Sequence, residues 1–355
     1  MLTALLAIIL NIVAQASLSN DVELLFAGDA MQHRAQLDAA RRPDGTYDYS
    51  DCFTDISEPV KSADLAIVNL ETPVGDSGPY SGYPCFFAPS SFVDALADAG
   101  FDVFLTANNH TLDRRAKGLR STIKELTARC IYHLGTYTDE AERAKALPLI
   151  LTVKGIHIGF LNYTYGTNGI TPDGGVVVDY IDRSRIARDI AQARQAGAEA
   201  IVVAVHWGDE YKLLPNAAQK QLADFLVDQG ADLIIGGHPH VIQPMEVVHS
   251  ARHDKDVLLV YSLGNFISNM KTRDTRGGAF VRARLRRQPD GSVRFATADW
   301  QLHFTVPAGN GRNYHVVPAD SVDNPAWQQH AREFVRAASD IFHRHNREVP
   351  EFKRK

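Results

Sequence analysis

The chain has 355 residues, 45% of them hydrophobic, and a formal net charge of −5 at pH 7. This length and hydrophobic fraction predict a globular protein with a sizeable core, and no long apolar segment follows the N-terminal region. The negative charge argues against nucleic acid as the main partner.

The N-terminal segment predicts export from the cytoplasm. Residues 5–13 are apolar, and Ala14-Gln15-Ala16 before Ser17 has the small-x-small pattern of a signal-peptidase site. We therefore expect a signal peptide over residues 1–16 and a periplasmic or secreted protein. Because no Lys or Arg precedes the apolar run, a membrane anchor formed by an uncleaved N-terminal segment is the alternative.

Strand and helix patterns alternate along most of the chain. Apolar runs predict strands near residues 22–27, 65–69, 102–106, 148–153, 156–162, 200–205 and 232–235. Helical spacing predicts helices near 90–99, 114–129, 183–196 and 217–229. After residue 240 the pattern becomes strand-like near 242–248, 257–262, 279–287 and 293–301, with Gln288-Pro289-Asp290-Gly291 as the last hairpin turn. This α/β order predicts two packed sheets flanked by helices.

The C-terminal region reads as a separate element. Asp323-Asn324-Pro325 is a helix start, and apolar residues follow at helical spacing from Trp327 to Ile341. We therefore divide the exported part into a main domain at 20–305 and a C-terminal helical extension at 306–355. We expect the helix to pack on the main domain, with a partner interface as the alternative.

Three cysteines, Cys52, Cys85 and Cys130, allow at most one intrachain disulfide. A bond between Cys52 and Cys85 in the loop-rich early region is a hypothesis. Their spacing does not establish it.

The segment Gly236-Gly237-His238-Pro239-His240 is the strongest local signal for function. It follows the apolar run 231–235, so both imidazoles are predicted at the end of a buried strand, where α/β proteins collect their ligands. Glycine permits unusual backbone angles there, and Pro239 stiffens the link between the two rings. The pattern favours metal coordination, with a surface turn as the alternative.

Other apolar runs also end in residues that bind metals. The predicted strands lead into Asp29, Glu71, Asn109 with His110, and His206. Carboxylate, carboxamide and imidazole groups at successive strand ends make the mixed oxygen and nitrogen ligand set of Zn, Mn or Fe. The sequence therefore predicts one or two divalent metal ions.

These motifs together resemble the CapA family of poly-γ-glutamate capsule proteins, which are similar to the calcineurin-like metallophosphoesterases. The resemblance spans roughly residues 22 to 270. It rests on six segments: Gly28-Asp29, residues 69–72, residues 107–113, residues 206–211, residues 237–243 and residues 261–266. It implies a four-layer α/β/β/α sandwich of two mixed sheets flanked by helices.

The resemblance also implies roles for the metal-binding side chains. Glu71 stands where the relatives place the carboxylate that bridges two metals. The other ligands it implies are Asn109, His206 and His238 for one metal, and Asp29 and His240 for its neighbour.

His110 matches the imidazole that protonates the leaving oxygen, and Asp113 matches the acid that orients this imidazole. An alternative role for Asp113 is to cap the helix that starts near Arg114. We take both residues as catalytic.

The first motif departs from that of the wider metallophosphoesterases, since Met31 stands where they have histidine. A thioether is a poor ligand for a hard divalent ion, so the site at Asp29 is expected to be weak or empty unless water or His33 completes it. One tightly held metal is therefore an alternative to two.

Four further residues are assigned to substrate binding: Trp207, Asn265, Arg282 and Arg284. The two arginines share one face of a strand with Arg286, a row that would suit an anionic polymer such as polyglutamate. A solvated strand face is the alternative. For residues 261–266, the alternative to a site-lining loop is a strand and turn that make no contact with a ligand.

Together these features predict a metal-dependent phosphoester hydrolase that serves capsule or cell-envelope polymer synthesis. The expected partners are an anionic polymer or a phosphoester substrate, and other envelope-biosynthesis proteins. The alternative function is a non-catalytic polymer-binding or export factor with a degenerate metal site.

Overall fold

The computed structural model describes residues 21–352, which form two packed β-sheets with helices on their outer faces. The helices are α1 (Arg34–Ala40), α2 (Ser57–Lys61), α3 (Ser91–Asp98), α4 (Arg115–Ala128), α5 (Glu140–Ala146), α6 (Arg183–Gln195), α7 (Ala217–Gln229) and α8 (Pro325–His345). The first nine strands are β1 (Asp21–Ala30), β2 (Leu65–Leu70), β3 (Val74–Gly75), β4 (Ala88–Pro89), β5 (Val103–Leu105), β6 (Tyr132–Leu134), β7 (Thr136–Tyr137), β8 (Leu149–Val153) and β9 (Ile156–Thr164). The remaining strands are β10 (Val177–Val178), β11 (Ala200–His206), β12 (Leu233–Gly237), β13 (Ile242–Ser250), β14 (Lys255–Leu263), β15 (Asn265–Ile267), β16 (Gly277–Arg287), β17 (Val293–Val306) and β18 (His315–Pro318).

The first sheet has eight strands in the order β18-β17-β16-β1-β2-β5-β6, with β15 also paired to β1. Strands β1, β2, β5 and β6 run parallel, whereas β16 lies antiparallel to β1. The sheet is therefore mixed. Its parallel part brings the carboxyl ends of β1, β2 and β5 to one edge, where ligands gather in such sheets.

The second sheet has six strands in the order β13-β14-β12-β11-β9-β8. Its centre is parallel, because β11 pairs with β9 and β12, and β12 pairs with β14. Strands β8 and β13 close the two edges in antiparallel pairing. The carboxyl ends of β11 and β12 thus lie side by side.

The hydrophobic core is arranged in layers. Phe26 of β1, Ile158 of β9 and Val281 of β16 belong to one buried cluster between the sheets. A second cluster joins the outer face of the first sheet to α3, and a third joins the outer face of the second sheet to α6 and α7. Apolar side chains on both faces of the sheets produce this order. The predicted four-layer α/β/β/α sandwich is confirmed.

The C-terminal region is part of the same core. Strand β18 adds to the first sheet beside β17, so residues after 306 still contribute to the main domain. Phe334 and Phe342 of α8 are 1% exposed and lie in the cluster between the sheets, and the Phe342 ring lies 4.7 Å from that of Trp300. The boundary at residue 306 thus does not divide two cores.

The three cysteines are free thiols, with Cys52 buried and Cys85 and Cys130 exposed, so the hypothetical Cys52–Cys85 bond is absent. The expected signal peptide at 1–16 lies outside the described residues. Among residues 21–352, no helix has the length and apolar character needed to cross a membrane.

Candidate metal centre

Six predicted ligands meet where the two sheets bring their strand ends together. Asp29 lies near the end of β1, Glu71 directly after β2, and His206 at the end of β11. Asn109 follows β5, and the two histidines of the Gly-Gly-His-Pro-His segment follow β12. All six side chains are buried, and none is more than 3% exposed. We call this set the ligand cluster: Asp29, Glu71, Asn109, His206, His238 and His240.

The ligand cluster contains two groups that share one carboxylate. Glu71, His238 and His240 form one group, and Asp29, Glu71 and His206 form the other, with the ligand atoms of each group within 4.8 Å of one another. Glu71 Oε1 lies 3.6 Å from His206 Nε2 and 3.9 Å from His240 Nε2. The central place of Glu71 matches the bridging role that the resemblance implies. The resemblance implied that His206 and His238 share one metal and that Asp29 and His240 share the other. In the structure, Asp29 instead groups with His206, and His238 groups with His240.

The unpaired atoms of the cluster fit divalent cations. Among the described residues, both carboxylate oxygens of Glu71 and Nδ1 of His238 are buried without a hydrogen-bond partner. Burial and the nearby Asp29 charge raise the pKa of Glu71 well above its usual range. Burial lowers the pKa of His206 well below its usual range and that of His238 to about 3, so both imidazoles are neutral. A buried carboxylate beside neutral imidazoles is the ligand set that Zn or Mn prefers.

The backbone of the histidine segment differs from the expectation. The left-handed angles fall on the histidines themselves, with φ of 99° at His238 and 57° at His240. Gly236 and Gly237 instead lie inside β12. Gly236 is needed for close approach, because a Cβ there would lie 2.1 Å from the Tyr261 carbonyl oxygen. Left-handed non-glycine residues are strained, and such strain collects at functional sites.

Asparagine side chains orient the ligands. Asn69 Nδ2 donates to Asp29 Oδ1 over 2.8 Å, and Asn168 Oδ1 accepts from Asn109 Nδ2 over 3.3 Å. The second bond leaves the Asn109 Oδ1 atom facing His206 Nε2 at 2.8 Å. Neither orienting role was predicted from the sequence, although Asn69 belongs to the segment 69–72. Asn69 carries one signal, since it is a polar residue inside the buried strand β2, but Asn168 lies in a loop without a pattern.

Asn265, which was expected to bind substrate, also orients a ligand. Its Oδ1 accepts from His240 Nδ1 at 3.0 Å, and its Nδ2 donates to the Thr275 carbonyl over 2.9 Å. The bond fixes the tautomer of His240 and leaves Nε2 toward Glu71.

The expected catalytic pair is formed. His110 Nδ1 hydrogen-bonds to Asp113 Oδ2 at 2.8 Å, and both side chains are buried. Asp113 Oδ2 also accepts the Phe86 backbone N–H over 2.7 Å. Helix α4 begins at Arg115 with Arg114 at its N-cap and no side-chain cap, so Asp113 orients His110 and does not cap the helix.

Three residues assigned to substrate binding lie apart from the ligand cluster. Trp207 is 2% exposed and donates Nε1–H to the Tyr261 carbonyl, so its ring packs inside the second sheet's outer core. Arg282 forms an ion pair with Asp299, and Arg284 forms one with Glu23. Arg282 lies opposite Leu25 in the sheet, about 13 Å along β1 from Asp29 at roughly 3.3 Å per residue. These arginines hold neighbouring strands together.

His33 lies outside the two groups of candidate ligands, and Met31 directly follows β1. Met31 is 1% exposed, and its backbone N–H donates to Ile267. Nδ1 of His33 lies 3.2 Å from Gln36 Oε1 and accepts the Asn269 backbone N–H over 3.3 Å. Burial lowers the pKa of His33 to about 4. His33 therefore serves the start of α1 and the adjacent loop.

The fold and the ligand cluster together define a protein of two packed mixed sheets whose strand ends hold a buried cluster that fits divalent metal ions. In overall structure the chain is similar to the NAD nucleotidase of Haemophilus influenzae, with a TM-score of 0.51 and 14% sequence identity over 89% of this chain and 62% of that one. At this identity the likeness concerns the fold.

The family follows from the sequence itself. Residues 23–270 match the family described as bacterial capsule synthesis protein PGA_cap, and the chain belongs to this family. It is 31% identical over 227 residues to the PGA biosynthesis protein CapA of Bacillus subtilis, covering 61% of this chain and 55% of that protein. It is 30% identical over 283 residues to the capsule biosynthesis protein CapA of Bacillus anthracis, covering 74% of this chain and 64% of that protein. The chain thus matches less than two thirds of the length of either relative.

Proposed function

We propose that this protein is a metal-dependent phosphoester hydrolase that acts in the synthesis of a capsule or envelope polymer. The observation that carries the proposal is the shared, unpaired Glu71 carboxylate inside two groups of metal ligands. The polymer assignment is supported by the family and by the printed names of the two CapA relatives.

The residues present fit one or two divalent ions, which would neutralise phosphate oxygens and activate water when bound. Asp29, Glu71, Asn109 and the three histidines would hold them. Neutral imidazoles are ready to bind without first losing a proton.

His110 would supply a proton to the leaving oxygen. Its Nδ1 is held by Asp113, so Nε2 is the nitrogen left to exchange a proton with substrate. The Phe86 ring, 4.6 Å from the imidazole, restricts its rotation and excludes water from one side. Asp113 holds the imidazole in one orientation.

Of the two substrates expected from the sequence, an anionic polymer and a phosphoester, the phosphoester is favoured. The arginine row that would have bound a polymer is engaged with Glu23 and Asp299. We propose a periplasmic or secreted location from the apolar segment 5–13 and the Ala14-Gln15-Ala16 pattern.

The test begins with metal content. Purified without chelator and incubated with Mn or Zn, the protein should retain a divalent ion by elemental analysis, and His238→Ala should lose it. His249→Ala, at an exposed position on β13, is the matched control and should retain the ion. The loaded protein should hydrolyse an aryl phosphate monoester or diester. A wild-type protein that stays metal-free after incubation would refute the proposal.

A non-catalytic polymer-binding or export factor is the second candidate, and the buried thioether of Met31 is the observation that favours it. Metal binding without turnover on any phosphoester would support this candidate. Location is tested separately, since mass spectrometry of the exported protein should show Ser17 as its first residue. An intact Met1 on membrane-bound protein would indicate an anchor.

A further inference from the structure

Three exposed tyrosines lie around the ligand cluster. Tyr83, Tyr165 and Tyr211 are 74%, 47% and 54% exposed, and they account for three of the five large hydrophobic side chains exposed among the described residues. We call these three the tyrosine rim. Exposed aromatic side chains that cluster at one place indicate a binding site more often than scattered ones do.

Each tyrosine reaches a different side of the cluster. The Tyr165 ring lies 4.5 Å from the His238 ring, and the Tyr211 ring lies 6.2 Å from the His240 ring. Tyr83 lies 6.3 Å from Phe86, the ring that contacts the proposed acid His110. The rim therefore extends from the ligands to the side from which the leaving group is protonated.

Backbone bonds hold the rim in place. The Tyr165 N–H donates to the His206 carbonyl over 3.0 Å, and the Tyr211 N–H donates to the Pro239 carbonyl over 2.9 Å. Tyr211 has a φ of 65°, which is unfavourable for a residue with a large side chain. The segments that position metal ligands thus also position two of the tyrosines.

A carboxylate lies beside two rings of the rim. Glu210 is exposed and lies close enough to both rings to act on them: burial, together with Glu210, raises the pKa of Tyr165 and Tyr211 to about 12. Within residues 21–352, no Lys or Arg forms an ion pair with the carboxylates of Asp29 or Glu71. Aromatic rings beside a carboxylate suit an uncharged ring whose hydroxyls donate to that carboxylate.

We propose that the tyrosine rim binds the uncharged sugar ring of a sugar phosphate ester whose phosphate reaches the ligand cluster. This inference rests on the proposed phosphoester hydrolase and names its substrate class. Aromatic faces cover the apolar C–H face of the sugar, and Glu210 accepts its hydroxyl groups. The Glu210 carboxylate disfavours a polyanion such as polyglutamate beside these two rings.

The experiment compares two esters of equal charge, glucose 1-phosphate, which has a ring, and glycerol 1-phosphate, which has none. The wild-type protein loaded with Mn should favour the glucose ester in kcat/KM. In Tyr83→Ala and Tyr165→Ala this preference should fall about tenfold, mainly through KM, whereas Tyr165→Phe should keep it. Tyr132→Ala removes a 49% exposed tyrosine on β6 and is the matched control that should keep the wild-type ratio.

A second readout does not depend on turnover. In saturation-transfer NMR, glucose 1-phosphate should receive saturation on its ring protons from wild-type protein and less from Tyr83→Ala. Equal kcat/KM for the two esters, a stronger preference for adenosine monophosphate, or competition by polyglutamate would overturn the sugar assignment while leaving the hydrolase intact. Ring binding by NMR without hydrolysis of any ester would refute the hydrolase and retain the sugar site.

Discussion

The buried histidine of β17 provides a sharp test of the packing. His303 is fully buried, and neither ring nitrogen has a hydrogen-bond partner among the described residues. Its ring lies 4.6 Å from Phe280 and 5.5 Å from Phe266. Burial lowers its pKa from 6.5 to about 3, because the folded state offers the charged imidazole no water. Folding therefore requires His303 to be neutral.

The sign and size of the effect follow from proton linkage. The unfolded chain binds a proton at His303 as the pH falls below 6.5, whereas the folded chain binds it only near pH 3, so stability is lost between these values. The loss is about 1.4 kcal/mol per pH unit, or about 2 kcal/mol on going from neutral pH to about pH 5. His303→Leu removes both unpaired nitrogens and with them this pH-dependent loss of stability.

Urea unfolding, followed by circular dichroism in the presence of chelator, measures the difference in the free energy of unfolding between His303→Leu and the wild type. The free energy of unfolding of His303→Leu relative to wild type should rise by about 2 kcal/mol between about pH 7.5 and about pH 5. His345→Gln, at an exposed position on the last turn of α8, is the control and should follow the wild type. A constant difference between His303→Leu and wild type would show that the folded protein accommodates the charged imidazole and would refute the reasoning.

Further predictions concern the site. Glu71→Gln should weaken both cation sites together in titration calorimetry, because the two groups of candidate ligands share this carboxylate; unchanged stoichiometry would exclude the shared role. Asn168→Ala should lower metal affinity about 10- to 100-fold by releasing the Asn109 amide, as measured by chelator competition. Asp113→Asn should lower turnover of alkyl phosphates by at least about 100-fold and of aryl phosphates less, because aryl leaving groups need little protonation; equal losses would remove the His110 pair from this role. Met31→His should raise metal occupancy if the Asp29 site is incomplete, and unaltered occupancy would show that it is completed in another way.

The positions of the longer helices and strands could be predicted from the local sequence pattern. The helices expected near 183–196 and 217–229 are found at Arg183–Gln195 and Ala217–Gln229, because regular apolar spacing reports which face is buried. Three helices, α1, α2 and α5, were missed, and so were seven short strands: β3, β4, β6, β7, β10, β15 and β18. Two to four residues are too few to show a period, and their pairing is decided by distant partners.

Within the predicted site, some residues could also be recognised from local pattern and others could not. Side chains at the carboxyl end of a buried strand, such as Asp29 and His206, could be proposed as ligands because parallel strands bring these ends to a common edge. The arginines at 282 and 284 showed a regular alternation, but alternation only places them on one face of the strand. Their carboxylate partners come from a neighbouring strand in each case, Asp299 from β17 and Glu23 from β1.

The sequence by itself predicted two packed sheets flanked by helices and placed six candidate metal ligands at or near strand ends, while the resemblance to a known family supplied the four-layer order and the roles proposed for His110 and Asp113. Only the tertiary structure decided how the candidate ligands group around Glu71, which asparagines orient them, and that Tyr83, Tyr165 and Tyr211 lie around the ligand cluster. Each of these features joins segments that are tens of residues apart in the sequence and belong to different strands or loops. Hydrogen bonds and ring contacts between such segments depend on distances in space, which no local spacing in the chain records.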